Sequence, residues 1–415
     1  KKNFIIKGNG KFLIDKKIDK INYEIESNKD KYNFKSQIEL NSNPLKIKLF
    51  NYTKKENKNS LLNFEGVYNK NKSIYLQNIF LNESNNSFKI KGLSLNKNYK
   101  INFIEEISLN FLNDNKKQNE LLLQKNKKNY KISGKFFDGT GLLNDLLNSE
   151  NEESPYKILN NIDTIIKIDL AKVFIDNVNF LNNFNGNLIF KKSNLISVDL
   201  KSNFSQNRKL TFAIKTNLNN EKITTLFSEY AKPLVKRYKF IKGFEGGNID
   251  FQSIKKGKKS NSQLKIYDFK LKEVPVLTKI LTLASLQGIA DLLTGEGIRF
   301  SEFDMKFKNE NKLMTIEEIY AIGPAISFLM DGYIQTGELI SLRGTLVPAT
   351  TLNKVVGSIP FLGNILVGQK VGEGVFGVSF KIKGSPKDLK TTVNPIKTLT
   401  PRFITRTLEK IKKTN

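Results

Sequence analysis

Alternation with a period of two most restricts how this chain can fold. Ile107, Leu109 and Phe111 alternate with Ser108 and Asn110, and Leu210, Phe212 and Ile214 repeat the pattern. Successive side chains of a strand point to opposite faces, so such runs put apolar groups on one face of a sheet and leave the other to water. Over the first 270 residues the runs are short, and Asn/Lys/Ser/Gly clusters with turn chemistry separate them. These clusters include Asn69 to Lys72, Asn85-Asn86, Lys191 to Asn194 and Lys255 to Lys259. The clearest half-buried strand comes late, where Phe376, Val378, Phe380 and Ile382 alternate with Gly377, Ser379, Lys381 and Lys383. The expected fold is mostly β: an elongated, twisted antiparallel β-groove built from repeated strands, with a few short helices capping the C-terminal part. Phe64-Glu65-Gly66, Phe184-Asn185-Gly186 and Phe244-Glu245-Gly246 form a weak, irregularly spaced internal echo.

Helical punctuation is sparse. Gly141 to Leu147 reads as one short helix, and the acidic, Pro-containing stretch after it as a linker. Thr225 to Phe240, with Pro233, reads as a connecting helix or an irregular cap. Val276 to Leu293 carries only Lys279 and Asp291 as charges and ends at Gly295-Glu296-Gly297, the pattern of a helix with a glycine stop. Apolar residues surround it, so it should be buried, yet Thr278, Thr282, Ser285, Gln287 and Gly288 dilute it below a transmembrane span. Gly357, Pro360 and Gly363 interrupt the apolar stretch Ala349 to Val367, which reads as a broken interfacial or capping segment. Pro395 to Lys412 reads as a basic amphipathic tail. The expected organisation is a β-array section over 1–147, a linker over 148–160, a second β-array section over 161–273, and a distinct C-terminal region over 274–415.

Cys, His and Trp are absent, which removes thiolate nucleophiles, disulfides, the usual zinc sites and every Ser-His or Cys-His pairing. The net charge of +28 favours anionic partners, but Lys, Asn and Ile are abundant throughout, and only six of the 68 basic residues are Arg. Bidentate base or phosphate readout favours Arg, so a compositional drift toward lysine is the first reading of the charge, membrane-surface attraction the second, and no nucleic-acid partner is expected. Gly372 to Gly377 matches GxGxxG but opens a strand rather than a helix, which fits glycine turns better than a nucleotide loop. Glu105-Glu106 and Glu317-Glu318 sit on strands, where neighbours point apart, and are expected to be solvated surface acids. No enzyme activity, metal or cofactor is expected.

From Glu273 to Phe403 a series of phrases recurs in order: Val274-Pro275-Val276-Leu277, Gly295 to Ile298, Gly323-Pro324, Asp331-Gly332, Arg343 to Pro348 and Asn353. Ile359 to Gly363, Gly374 to Val378, Lys383 to Pro386, Val393-Asn394-Pro395 and Thr400 to Phe403 complete the series. In this order and spacing the region resembles the C-terminal part of the AsmA-like superfamily, especially the YhdP-type bacterial envelope proteins. The resemblance covers about a third of the chain, and the remainder matches in style alone.

The resemblance implies a non-enzymatic envelope protein that binds phospholipid acyl chains in an apolar β-groove and conducts lipid between inner and outer membranes. Phe376, Val378, Phe380 and Ile382 are then candidates to line the groove. Candidates to contact a membrane are Leu352, Val355, Val356, Ile359, Phe361, Leu362, Ile365, Leu366 and Val367, with Arg402 and Arg406 beside them. The implied partners are phospholipids, both membrane surfaces and other envelope proteins. The implied location is the periplasm, with an inner-membrane anchor helix missing from a chain that opens on Lys1 and so reads as a processed product or a fragment. The alternative is a structural or assembly factor that supports outer-membrane proteins without carrying lipid.

Overall fold

The computed structural model describes residues 3–14, 17–141, 162–235, 243–272, 274–283, 290–291, 293, 295–348 and 377–396. The chain divides into two units, Lys1–Lys215 and Thr216–Asn415. Among the described residues twenty-two strands belong to an open, twisted sheet, thirteen of them in the first unit and nine in the second.

The first unit opens with β1 (Phe4–Ile14), β2 (Lys17–Asn28) and β3 (Lys31–Glu39), paired in that order. The chain then leaves the sheet for two short strands, β4 (Leu45–Ile47) and β5 (Tyr52–Lys54), which pair with each other. It returns as β6 (Leu61–Asn69) beside β3. An antiparallel meander follows through β7 (Ser73–Glu83), β8 (Asn86–Asn96), β9 (Ile101–Leu112), β10 (Gln118–Asn126) and β11 (Asn129–Asp138). β12 (Thr164–Phe174) lies parallel to β11, so both strands begin at the same end of the sheet. The meander resumes through β13 (Phe180–Lys191), β14 (Asn194–Asn203) and β15 (Lys209–Thr216).

The second unit is antiparallel throughout. It comprises β16 (Lys222–Ser228), β17 (Glu245–Lys256), β18 (Lys259–Leu271), β19 (Ile298–Glu310), β20 (Leu313–Ile322), β21 (Ile326–Gln335), β22 (Leu339–Pro348), β23 (Gly377–Ser385) and β24 (Asp388–Ile396), each paired with the next. Its connections hold the helices Lys232–Val235 and Pro275–Leu283.

The turn chemistry reads through directly: the four clusters named above join β6 to β7, β7 to β8, β13 to β14 and β17 to β18. Thr225 to Ser228, expected in a helix or cap, instead completes β16, and Lys232–Val235 is a single turn. The apolar helix runs over Pro275–Leu283, burying Leu277, Ile280 and Leu281 while Leu283 faces water. The rest of the helix expected over Gly141 to Leu147, beyond Gly141, and the linker 148–160 lie outside the described residues.

Two of the echoing Phe-x-Gly triplets flank register shifts, between Glu65 and Gly66 in β6 and between Asn182 and Asn185 in β13. The echo therefore marks bends in strands rather than a repeating unit. Gly186 has φ +154, and a Cβ there would come 1.9 Å from the Asp199 carbonyl oxygen. Only glycine lets β14 approach so closely at this bend.

Candidate functional site

Pairing registers line up side chains of neighbouring strands into rows that cross the sheet on one face. In the first unit one row runs Phe64, Ile79, Ile90, Ile107, Leu123, Ile132, Ile168, Gly186, Leu200 and Phe212, each opposite the next from β6 to β15. No polar side chain interrupts it. Beside it runs a second row, Ile38, Leu62, Leu81, Phe88, Leu109, Leu121, Gly134, Leu170 and Phe184. The members of the first row are half-buried except Ile168, which is buried. Neighbours in the sheet shield their flanks and leave part of each side chain open on the outer side of the row.

One end of this face is covered. The connection Leu40 to Ser60, with β4 and β5, folds onto the second row and forms a cluster of Tyr52, Leu81, Phe88, Leu109 and Phe111. The Tyr52 ring lies 4.6 Å from Phe88 and 5.5 Å from Phe111. Polar clamps hold the cap. Asp19 accepts backbone N–H bonds from Asn41, Ser42 and Asn43 at 3.1, 2.8 and 3.0 Å. The buried Lys54 Nζ donates to the carbonyls of Asn41 and Asn43 at 3.0 and 2.6 Å. The Tyr52 hydroxyl donates to the buried Glu83 carboxylate, and burial, this bond and the charge together push its pKa up. For Asp19, burial opposes ionisation, but the hydrogen bonds from Ser42 and Asn43 outweigh it and hold the carboxyl below its ordinary range.

The second unit repeats the arrangement with its own rows. Leu226, Phe251, Leu264, Met305, Ile319, Met330, Gly344, Phe380 and Val393 lie opposite one another from β16 to β24. Ile249, Ile266, Phe303, Ala321, Phe328, Leu346 and Val378 make the adjacent row. Ile382, opposite Leu342, continues the face on the other side. Val378, Phe380 and Ile382 thus share one face, as their alternation predicts, and all three are buried. They belong to a cluster that includes Leu277, Ile280 and Leu281 of the helix together with Ala290 and Leu293. At this end the apolar face is filled by protein, whereas Leu226, Phe251, Leu264 and Met305 toward the other edge stay half-buried. At Gly344 a Cβ would meet the Phe380 ring at 2.6 Å, so glycine makes room for the aromatic ring within the row.

Phe376 lies outside the described residues, as do Leu352, Val355, Val356, Ile359, Phe361, Leu362, Ile365, Leu366, Val367, Arg402 and Arg406. The adjacent acids are held apart. Glu105 accepts from the Tyr75 hydroxyl at 3.1 Å, while Glu106 pairs with Lys91 at 3.3 Å and accepts from Gln124 at 3.2 Å. Glu317 pairs with Lys308. Glu318 departs from expectation, being buried rather than solvated, opposite Lys306 and next to the register shift between Lys306 and Phe307.

A cleft of about 760 Å³ over β1, β2, β3, β6 and β7 is crossed by the polar row Lys7, Glu24, Lys35, Glu65 and Asn78, with Tyr23, Phe64 and Phe80 also lining it. Its side chains bond one another, with Lys7 2.8 Å from Glu24 and Asn78 donating to Glu65 at 2.7 Å. Among the described residues no group of carboxylates could hold a metal ion, and no helix is long and apolar enough to cross a membrane.

The alternation within single strands announced the apolar face, but the rows depend on register between strands, which single-strand periodicity does not carry. The cap was missed altogether, because three-residue strands are too short to show a period. No family model matches the chain, and neither a curated protein nor a solved structure matches it.

Proposed function

We propose that this protein is a non-enzymatic lipid binder that lays phospholipid acyl chains along the apolar rows of its sheet. We further propose that it conducts lipid between the inner and outer membranes of a bacterial envelope from a periplasmic location. The observation that carries the lipid-binding part is the unbroken apolar row from Phe64 to Phe212 with its half-buried side chains. The envelope setting rests on the resemblance of the C-terminal region alone.

Withdrawing a lipid from a bilayer exposes its tails at about 0.8 kcal/mol per CH₂. A face that replaces lipid neighbours with Ile, Leu and Phe side chains offsets that cost along its length, and the headgroup stays in water. Nine strand spacings of about 4.8 Å give a row of about 43 Å. One leaflet of a hydrocarbon core is about 15 Å thick, so the row exceeds one tail and could hold lipids in succession. The filled core under Pro275–Leu283 favours a second reading for that end of the second unit, in which the helix is a structural plug and the protein supports envelope assembly without carrying lipid.

The test is mass spectrometry of solvent extracts from the purified chain, alongside Leu123→Asp, Leu264→Asp and the control Gln124→Asp. Phospholipid near stoichiometric amounts is expected, with less in the two face variants and no change in the control. Protein that is lipid-free and fails to take up phospholipid from vesicles would favour the structural reading.

A further inference from the structure

The tight turns of the first unit are unequally charged at its two ends. The β2–β3 turn carries Lys29 and Lys31, and the β6–β7 turn Lys70 and Lys72. Lys97 and Lys100 lie at the β8–β9 turn, and Lys127 and Lys128 at the β10–β11 turn. Because β11 and β12 are parallel, the β13–β14 turn with Lys191 and Lys192 comes to the same end. All ten lysines are exposed, none forms an ion pair with a carboxylate among the described residues, and among the described residues of these turns and of the entry to β12 the acids are Asp30 and Asp163.

The opposite end differs. Its tight turns β7–β8, β9–β10, β12–β13 and β14–β15 mix Glu83, Asp114 and Asp176 with Lys116, Lys117, Arg208 and Lys209. The cap at that end does add exposed lysines, Lys46, Lys48, Lys55 and Lys58. A general drift toward lysine would load both sets of turns alike, so it does not account for the contrast.

Just inside the basic end runs the row Phe4, Ser27, Tyr32, Tyr68, Ile74, Leu95 and Ile101. The Tyr32 and Tyr68 rings stack with centroids 6.0 Å apart. Amphipathic rings between apolar rows and a charged edge grade the surface from tail-like to headgroup-like. Successive turns between β6 and β11 are two strands apart, about 9.6 Å, which is within the Debye length of about 10 Å at 0.1 M salt. Their fields overlap into one positive rail beside the apolar face.

We propose that this rail is a headgroup track that makes the first unit select anionic over zwitterionic phospholipids. The proposal rests on the acyl-chain reading above. Lysine attracts the phosphate of either class, but a zwitterionic headgroup also brings an ammonium next to the rail, where two carboxylates among ten lysines offer it little. Repulsion of the wrong headgroup then supplies the discrimination.

The test incubates the full chain with vesicles holding equal amounts of phosphatidylglycerol and phosphatidylethanolamine with the same acyl chains, re-isolates it and measures the bound ratio. Enrichment of the anionic lipid by about fivefold is expected, the value of one lysine–headgroup interaction near a surface. It should collapse at about 0.5 M salt, where the Debye length falls to about 4 Å. The combined variant Lys70→Gln, Lys72→Gln, Lys97→Gln and Lys100→Gln should load the same total lipid at nearly the input ratio. Lys46→Gln, Lys48→Gln, Lys55→Gln and Lys58→Gln together should leave the enrichment intact. Equal loading of the two lipids by the unaltered protein overturns the headgroup track alone, whereas absence of both overturns the acyl-chain reading and the track with it. If the rail variant keeps its enrichment but no longer floats with anionic vesicles, the rail docks on a membrane surface and the headgroup track is overturned.

Discussion

Tyr52 packs on Phe88 with ring centroids 4.6 Å apart, although the two residues come from a cap outside the main sheet and from the middle of its apolar face. The contact closes one end of the face, and a buried bond from the Tyr52 hydroxyl to Glu83 locks it. Tyr52→Ala should cost about 3–5 kcal/mol, as for other large-to-small aromatic substitutions in cores. Tyr52→Phe keeps the ring but leaves the buried Glu83 with the Asn86 amide at 3.0 Å, and should cost about 1–3 kcal/mol. Denaturant unfolding of both variants checks the order: a Tyr52→Phe loss equal to that of Tyr52→Ala would mean that the ring contributes nothing.

Stability should fall in acid through Asp19 and Asp138. At Asp138 burial opposes ionisation, but bonds from Thr140, Asn115 and Asn113 outweigh it, so its pKa, like that of Asp19, lies below the ordinary 3.8. A depressed carboxyl stabilises the fold above its unfolded pKa, and that contribution is lost as pH falls through the folded one. Unfolding measured from about pH 5 down to pH 2 should show a loss beginning near pH 4. The loss should be shallower in Asp138→Asn, and an identical slope in that variant would contradict the assignment.

Leu281 of the helix Pro275–Leu283 is fully buried against the face that carries Val378 and Phe380. Leu281→Ala should cost about 2–5 kcal/mol. Thermal unfolding checks it, and a change below about 0.5 kcal/mol, typical of surface positions, would mean the helix is loosely seated.

Gly186→Val places a branched side chain at φ +154 against the Asp199 carbonyl. Although valine favours strands, the variant should be destabilised by about 2 kcal/mol or more, because strain at this backbone position overrides propensity. An expressed protein of unchanged melting temperature would show that the bend tolerates a side chain.

The β character and the turns were legible because each is written locally. Asn69 to Lys72 needs no distant partner to be read as a turn, nor do Ile107, Leu109 and Phe111 to be read as one face. Phe380 and Ile382 could likewise be assigned a common face, but not the helix that covers them, since the contact with Leu277 and Ile280 spans about a hundred residues of chain. The parallel pairing of β11 with β12 was hidden for the same reason: the expected fold was antiparallel, and a helix and linker read over 141–160 do not say in which direction the next strand runs. Leu45 and Ile47 alternate with Lys46 and Lys48 just before Tyr52 and Lys54, but so short a run does not show what it packs on, so the cap emerges only in three dimensions. The basic rail is a property of topology, because its lysines lie far apart in sequence and reach one end only through alternating strand direction.

The absence of cysteine allows the central claim to be tested at single positions. A cysteine introduced at Ile107, Leu123 or Leu264 and labelled with an environment-sensitive fluorophore reports on the apolar face, and one at Ser108, Gln124 or Lys265 reports on the opposite face. On addition of phospholipid carrying a quencher in its acyl chain, the account predicts quenching at the first three positions and none at the other three. Equal response on both faces, or no quenching at Ile107 and Leu123, would contradict the claim that acyl chains lie along these rows.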